Sequence, residues 1–355
     1  MSDTTINQSL PRKMKIGNHL VGDGEPCFII AEAGVNHDGS MEQAQSLIEA
    51  AGKAGVDAVK FQTFSADALV THFTKKAPYQ ERTERGESHY DMIKRLELRP
   101  EDFIELADYA KKKGLIFLSS PFDRASVSLL DRIGVPAFKI ASGELTNTPL
   151  LAYIAQKRKP VILSTGMASL GEIEAILPIF HGIPLILLHC VTQYPAPIDS
   201  VNLRVMETLK QAFGHPVGFS DHTLGYTAAL AAVALGACMI EKHFTMDKNL
   251  PGPDHFASLE PEELKEMVTS IREVEDVLGN GIKTISEEEE KIKAVVRKSV
   301  VTAQDIPSGV TITEKMLAIK RPGTGLAPRF LQKLIGKKAK TPLKAGEFIR
   351  WEDIR

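Results

Sequence analysis

Cysteine is scarce in this sequence. Among 355 residues there are three, Cys27, Cys190 and Cys238, far apart and each inside an apolar, strand-like run. They are expected as buried free thiols in a reducing compartment rather than as a disulfide framework. Long hydrophobic runs are missing too. No uninterrupted apolar stretch approaches the ~20 residues that span a bilayer. The polar start "MSDTTINQSLPRK" offers no apolar segment for a secretory signal. Nor does one sign of charge predominate: Lys and Arg number 43 and Asp and Glu 45, for a formal net charge of −2. General attraction to nucleic acid or to an acidic membrane is therefore excluded, and a cytoplasmic protein is expected. No GxGxxG follows the first apolar run, which counts against a doubly wound open sheet, the runner-up fold.

What is present is a regular alternation. Apolar runs of strand length occur at 27–34, 56–63, 115–122, 137–144, 160–167, 185–191, 216–223 and 238–245. Amphipathic stretches such as "MEQAQSLIEAAGKAG" and "PEDFIELADYAKKKG" lie between them. Eight strands alternating with helices predict an α/β fold, a (β/α)8 TIM barrel. A charged insertion at 64–99 follows the second run, and insertions of that length often shape a substrate site. After residue 282 the character changes. A charged stretch, 283–293, reads as a solvated linker or short helix, and 294–355 as a small β-rich domain. That domain carries a weak internal repeat, "DIPSGVTITEKML" echoed by "PLKAGEFIRWEDI".

Catalytic groups in such barrels sit at the C-terminal strand ends. Here those ends carry Glu32, Asn36 and His37; Lys60 and Gln62; Ser119 and Ser120; Lys139, Ser142 and Glu144. The later ends carry Ser164 and Thr165; His189, Thr192 and Tyr194; Ser220, Asp221 and His222; and Glu241, Lys242 and His243. Nearly every strand turning polar at one end predicts a polar pocket. His222 and His243 end consecutive strands, about 4.8 Å apart in a sheet, so their imidazoles can converge on one ion. The bland alternative is two hydrogen-bonded rim histidines. Two nitrogens would leave coordination positions open, which suits a Lewis-acid ion. Lys60 and Lys139 follow apolar residues within strands, and a buried lysine implies an anion nearby. That anion is either a bound phosphate or carboxylate, helped by Ser142, Ser164 and Ser220, or an internal partner such as Glu32 or Glu144. A Schiff-base lysine is a further alternative. The turn "LPGPDH" would hold Asp254 over the mouth.

Taken together, "IAEAGVNHDG", "VKFQT", "FLSSPFD", "FKIASGE", "ILSTGM", "HCVTQYPAP", "GFSDHT", "EKHFT", "PGPDH" and "IKRPGTG" resemble the sialic acid synthase family, from about residue 15 to the C-terminus. That family includes N-acetylneuraminate, legionaminate and pseudaminate synthases. The resemblance implies a barrel joined to an antifreeze-like (SAF) domain in a domain-swapped homodimer. It also implies condensation of phosphoenolpyruvate with an N-acylated amino sugar, N-acetylmannosamine in the first instance, with release of phosphate. The alternative acceptor is a 2,4-diacetamido-trideoxy-hexose. A divalent ion, Mn²⁺ or Mg²⁺ and conceivably Co²⁺, is implied on His222 and His243. Phosphoenolpyruvate contacts fall to Lys60, Lys139, Ser142, Ser164 and Ser220. Gln62 and Thr192 belong with the substrate-binding set, and Glu32, Tyr194 and Asp254 face the sugar. Glu144 handles water and protons, and Arg321, from the partner's SAF domain, reaches the acyl-amino group. Two rival classes stay open: a Schiff-base aldolase or lyase, and a sugar- or ice-binding protein with a degenerate barrel.

Overall fold

A computed structural model describes residues 12–77, 80 and 86–355. The chain divides into two compact units between Gly279 and Asn280. The first begins with an antiparallel hairpin, β1 (Lys13–Ile16) and β2 (His19–Gly22). Eight parallel strands follow: β3 (Phe28–Gly34), β4 (Ala58–Thr63), β5 (Ile116–Pro121), β6 (Phe138–Ile140), β7 (Val161–Ser164), β8 (Leu185–Cys190), β9 (Val217–Asp221) and β10 (Met239–His243). Their order is β5-β4-β3-β10-β9-β8-β7-β6, and β5 and β6 lie side by side, which brings the sheet round into a barrel. Each expected apolar run contains one of these strands. Among the described residues no helix is long and apolar enough to cross a membrane.

The helices form where caps and periodicity agree. The segment Met41–Ala54 starts at Ser40, whose side chain accepts from the Gln43 N–H. It ends at Gly55, whose φ of 81° suits a residue without Cβ. Ala44, Leu47, Ile48 and Ala51 repeat at three- and four-residue spacing, so one face is buried against the outside of the barrel. Each such leucine or isoleucine contributes roughly 1.5–3 kcal/mol on burial.

Strand alternation divides the barrel into two zones. Side chains pointing out, such as Ile29, Ala31, Val59 and Phe61, join the helices in the main core. Those pointing in at the lower end, including Ile30, Ala58, Leu118, Ile162, Ile186 and Leu188, pack with Met14, Ile16 and Val21 of the hairpin. The hairpin thus plugs the barrel with apolar side chains, and the polar inward positions lie above a dry floor. The described part of the insertion after β4 includes the short helices Ala66–Leu69 and His89–Arg95, on a core of Val35, Phe64, Met92 and Leu96. Part of its motif-poor stretch, 78–79 and 81–85, lies outside the described residues.

The second unit opens with the helix Glu287–Val296, capped by Ser286 and carrying four glutamates in its first turn, where the helix dipole favours negative charge. The charged stretch is thus helical rather than an extended tether. Strands β11 (Ser299–Thr302) and β12 (Leu317–Lys320) pair antiparallel. The sequence repeat has a structural counterpart. Ile306 bridges to Leu343, Ile312 and Ile349 are both fully buried, and each half ends in a short 3-10 turn. Gly309 and Gly346 hold matching left-handed φ values of 85° and 86°.

Candidate active site

The polar strand ends do not all face one way. Because side chains alternate along a strand, only every second polar residue enters the barrel. Glu32, Lys60, Gln62, Ser120, Lys139, Ser164, Ser220, Glu241 and His243 line a single cavity there. Their neighbours turn outward: Ser119 bonds Thr63 at 2.6 Å, His189 bonds the Val201 carbonyl at 2.6 Å, and Lys242 donates to Asp221 at 2.9 Å. The expectation that whole polar triplets form the pocket wall is corrected accordingly. In "EKH", Glu241 and His243 belong to the cavity, while Lys242 ties β10 to β9 from behind.

Inside, the lysines meet carboxylates. Lys60 Nζ lies 2.6 Å from Glu32 and 3.7 Å from Glu241, and it donates to Ser120 at 3.1 Å. Lys139 Nζ lies 3.4 Å from Glu241 and donates to Ser164 at 2.8 Å; Ser220 donates to Glu241 at 2.9 Å. All four charged groups are buried. Burial opposes the charge on Lys60, yet Glu241 and Glu32 outweigh it and hold the ammonium above its ordinary pKa. Lys139 is pushed down, chiefly by burial. Burial opposes ionisation of Glu241 as well, but Lys139 and Lys60 win and keep it ionised. Burial dominates at Glu32, raising its carboxyl to about 7. The internal ion pairing weighed for the lysines exists, with Glu32 and Glu241 as partners. Sequence reasoning placed Glu241 among the polar strand ends of the pocket but assigned it no role; its register, two positions before His243, was the available signal for an inward side chain.

His222 and His243 stand with ring centroids 5.5 Å apart, and the Tyr194 ring lies tilted against His222, centroids 4.1 Å apart. The Nδ1 of His222 lies 2.8 Å from the Val191 carbonyl and so carries a proton; burial opposes charge on the ring, but Cys190 and the Val191 carbonyl outweigh it and hold the pKa above the ordinary histidine value. The Nδ1 of His243 is buried without a hydrogen-bond partner among the described residues, 3.8 Å from Asp254. Burial, then the neighbouring His222, holds His243 well below the usual histidine range, hence neutral. A fixed tautomer and an orphaned neutral nitrogen fit two ligands of a divalent ion. Among the described residues no third His, Cys, Asp or Glu completes a metal-ligand cluster.

Asp254 lines the same cavity, and burial raises its carboxyl to about 6. The loop is held less by its prolines than by His255. That ring bonds Thr245 at 2.6 Å and Asp38 at 3.1 Å. Asn36 donates to Ser258 and to the Phe244 carbonyl, and Ser258 donates to the Asp254 carbonyl. Asn36 and Asp38 therefore support the site from outside it, and His37, also buried, does not line the cavity. Ser142 and Thr192 reach the cavity on either side of Gly166, whose N–H donates to Ser142; a side chain there would collide with Thr192 Oγ1. Glu144 is not among the lining residues and accepts from Asn147 at 2.7 Å. Arg321 lies exposed just after β12 in the second unit.

The chain is similar to proteins already known. Residues 47–283 match the model of the NeuB family, and residues 297–355 match that of the SAF domain. The chain is 47% identical to the N,N'-diacetyllegionaminic acid synthase of Legionella pneumophila, across 94% of this chain and 96% of that one. It is 50% identical to the enzyme of that name in Campylobacter jejuni, across 91% and 98%. Among solved structures, an N-acetylneuraminic acid synthetase from Leptospira borgpetersenii, in complex with citrate, matches with a TM-score of 0.70 and 37% identity. That match covers 79% of this chain and 94% of the other.

Proposed function

The chain belongs to the NeuB family, with an SAF domain after its barrel, and from that premise we propose that it condenses phosphoenolpyruvate with an N-acylated amino-sugar aldehyde. The observation that carries this reading is the pair of buried lysines converging on Glu241 beside Ser164 and Ser220, in the same cavity as His222 and His243. Phosphoenolpyruvate brings about three negative charges, and two ammonium groups with hydroxyl donors offset them. Relatives sharing 47% and 50% identity are diacetyllegionaminic acid synthases. They favour a 2,4-diacetamido-2,4,6-trideoxyhexose as acceptor over the N-acetylmannosamine expected first.

In the proposed reaction the enol-ether carbon of phosphoenolpyruvate attacks the aldehyde carbon and a new C–C bond forms. Positive charge left at the phosphate-bearing carbon is quenched by water, which gives up a proton. The tetrahedral adduct then breaks its C–O bond and releases inorganic phosphate. Lys60 and Lys139 hold the phosphate and carboxylate, while Tyr194 and Asp254 orient the sugar. Glu32, with a pKa near neutrality, exchanges the proton. Glu144, outside the lining, is assigned no step. A divalent ion held by His222 and His243 would supply Lewis-acid polarisation of the aldehyde oxygen.

Phosphate release from phosphoenolpyruvate, measured against a panel of amino sugars, tests the reading; no release with any acceptor would refute it. Chelation with EDTA is expected to abolish turnover and Mn²⁺ to restore it. His222→Ala and His243→Ala should each lower turnover by orders of magnitude with an unchanged circular dichroism spectrum. A Schiff-base route has one observation in its favour, the lowered pKa of Lys139. Borohydride trapping of a pyruvyl adduct on Lys139 would establish that route.

A further inference from the structure

We infer that His255 is a positioning residue for the acceptor: its ring, clamped between Asp38 and Thr245, fixes the stretch of chain that carries Asp254 into the cavity. The inference rests on the proposed condensation, in which Asp254 orients the sugar, and adds what holds that carboxylate in place.

Between β10 and the helix Pro261–Leu278 the chain leaves the barrel and returns to it. The Thr245 N–H donates to the Leu259 carbonyl at 2.8 Å, and the Leu259 N–H donates to the His243 carbonyl at 2.9 Å. Both roots of this excursion are thus tied to the strand end that bears His243. Its outer part is open to solvent at Met246, Asp247, Asn249 and Pro251, whereas Gly252, Pro253, Asp254 and His255 are buried. The ring of His255, fully buried, fastens this inner stretch through both nitrogens. A carboxylate only accepts, so Nε2 donates to Asp38, 3.2 and 3.1 Å from its two oxygens. Nδ1 meets the Thr245 hydroxyl at 2.6 Å. Asp38 follows β3 and Thr245 follows β10, so one ring joins the inner stretch to the ends of two neighbouring strands. Gly252 completes the fit. A Cβ there would stand 2.5 Å from His255 Nε2 and 2.7 Å from the Asp38 carboxylate. In "PGPDH" the glycine therefore makes room for the ring, and the ring sets the residue beside it. Asp254 lines the cavity 3.8 Å from the Nδ1 of His243, while His255 does not line it. His255 accordingly acts through Asp254 and not on the sugar itself. Displacing an orienting group by about 1 Å can cost on the order of 100-fold in rate.

The test is steady-state phosphate release by the full chain, with phosphoenolpyruvate and whichever of 2,4-diacetamido-2,4,6-trideoxyhexose and N-acetylmannosamine the wild type turns over. His255→Leu keeps bulk and removes both hydrogen bonds. It is expected to lower kcat/KM for the sugar by about 10- to 100-fold, while the KM for phosphoenolpyruvate moves by less than about two-fold. Thr245→Val should do the same more weakly, and Thr245→Ser, which retains the hydroxyl, should keep most of the wild-type value. In an Asp254→Ala background His255→Leu should cost little more, because the residue it acts through is already gone. Unchanged sugar kinetics in His255→Leu overturns the positioning role, and so does full additivity with Asp254→Ala. A rise in the phosphoenolpyruvate KM as large as the loss toward the sugar overturns it too, since that marks a general distortion. If His255→Leu fails to fold, equal sugar kinetics in Thr245→Val and Thr245→Ser overturns the role instead. A wild type that releases no phosphate with either sugar defeats the condensation itself, and this role with it.

Discussion

Single residues carry most of the chemistry, and two of them make contrasting predictions. Burial holds His37 down to about 4, and its Nε2 is buried without a partner among the described residues while Nδ1 accepts from the Gly39 N–H. Below pH 6.5 the unfolded chain takes up a proton that the folded chain refuses until about 4, so stability is present above that window and lost as pH falls through it. The loss should reach roughly 3 kcal/mol at the acid end. Urea denaturation at pH 7 and pH 4.5 should show a smaller drop for His37→Asn, whose side-chain oxygen can still accept from Gly39. We propose that Lys60 acts on the ligand, besides compensating the buried carboxylates of Glu32 and Glu241. Lys60→Met should raise the KM for phosphoenolpyruvate by about 10- to 100-fold, the value of a charge-assisted contact, with a much smaller change in kcat in steady-state phosphate release. At this scale the residue types were legible in the sequence, since polar groups at strand ends are conspicuous. Their partners were not. Lys60 pairs with Glu32 and Glu241 because β3, β4 and β10 are neighbours in the closed sheet, a fact of register rather than composition.

At the scale of elements, the strands were readable because each is a buried apolar run of fitting length. Runs buried on both faces hide their alternation, however, so which polar residue of a triplet faces inward is legible only by register, once one inward residue such as His243 is known. Lys242 and Asp221 show what the outward members do. Both are fully buried, and Lys242 also donates to the Thr223 carbonyl while Asp221 accepts from the Thr223 N–H. The pair clamps β9 to β10 directly behind His222 and His243. Asp221→Asn strands a buried ammonium and should cost about 3–5 kcal/mol in chemical denaturation. The double variant Asp221→Asn with Lys242→Met should recover much of that loss, and purely additive losses would show that the two residues do not interact. The hairpin at 13–22 was expected only as a strand extension at the start of the barrel domain, because two four-residue strands leave little pattern.

The whole molecule is two units with separate cores, one around the barrel and one built from Val300, Ile306, Ile312, Leu334 and Ile349. A fragment ending at Gly279 should therefore unfold cooperatively by itself in calorimetry. We propose that it nonetheless lacks condensation activity, because Arg321 is needed for the acceptor. If subunits share sites, mixing Arg321→Ala with His222→Ala should restore part of the activity, each site needing one intact contribution. Exchange of subunits without any return of activity would count against a shared site. The boundary near 280 and the repeat in the second unit were both visible in composition and spacing, since turn glycines and apolar pairs recur there regardless of tertiary context.

The alternation at the barrel's upper rim has an evolutionary corollary. Adjacent letters of one motif serve opposite masters, catalysis inward and cohesion outward, so drift in "EKH" or "SDH" harms one or the other and the strands are poor ground for innovation. The insertion after β4 stands on a small core of its own. Exchange of residues 64–99 among relatives should therefore cost the barrel little stability, which thermal unfolding of the chimaeras would measure.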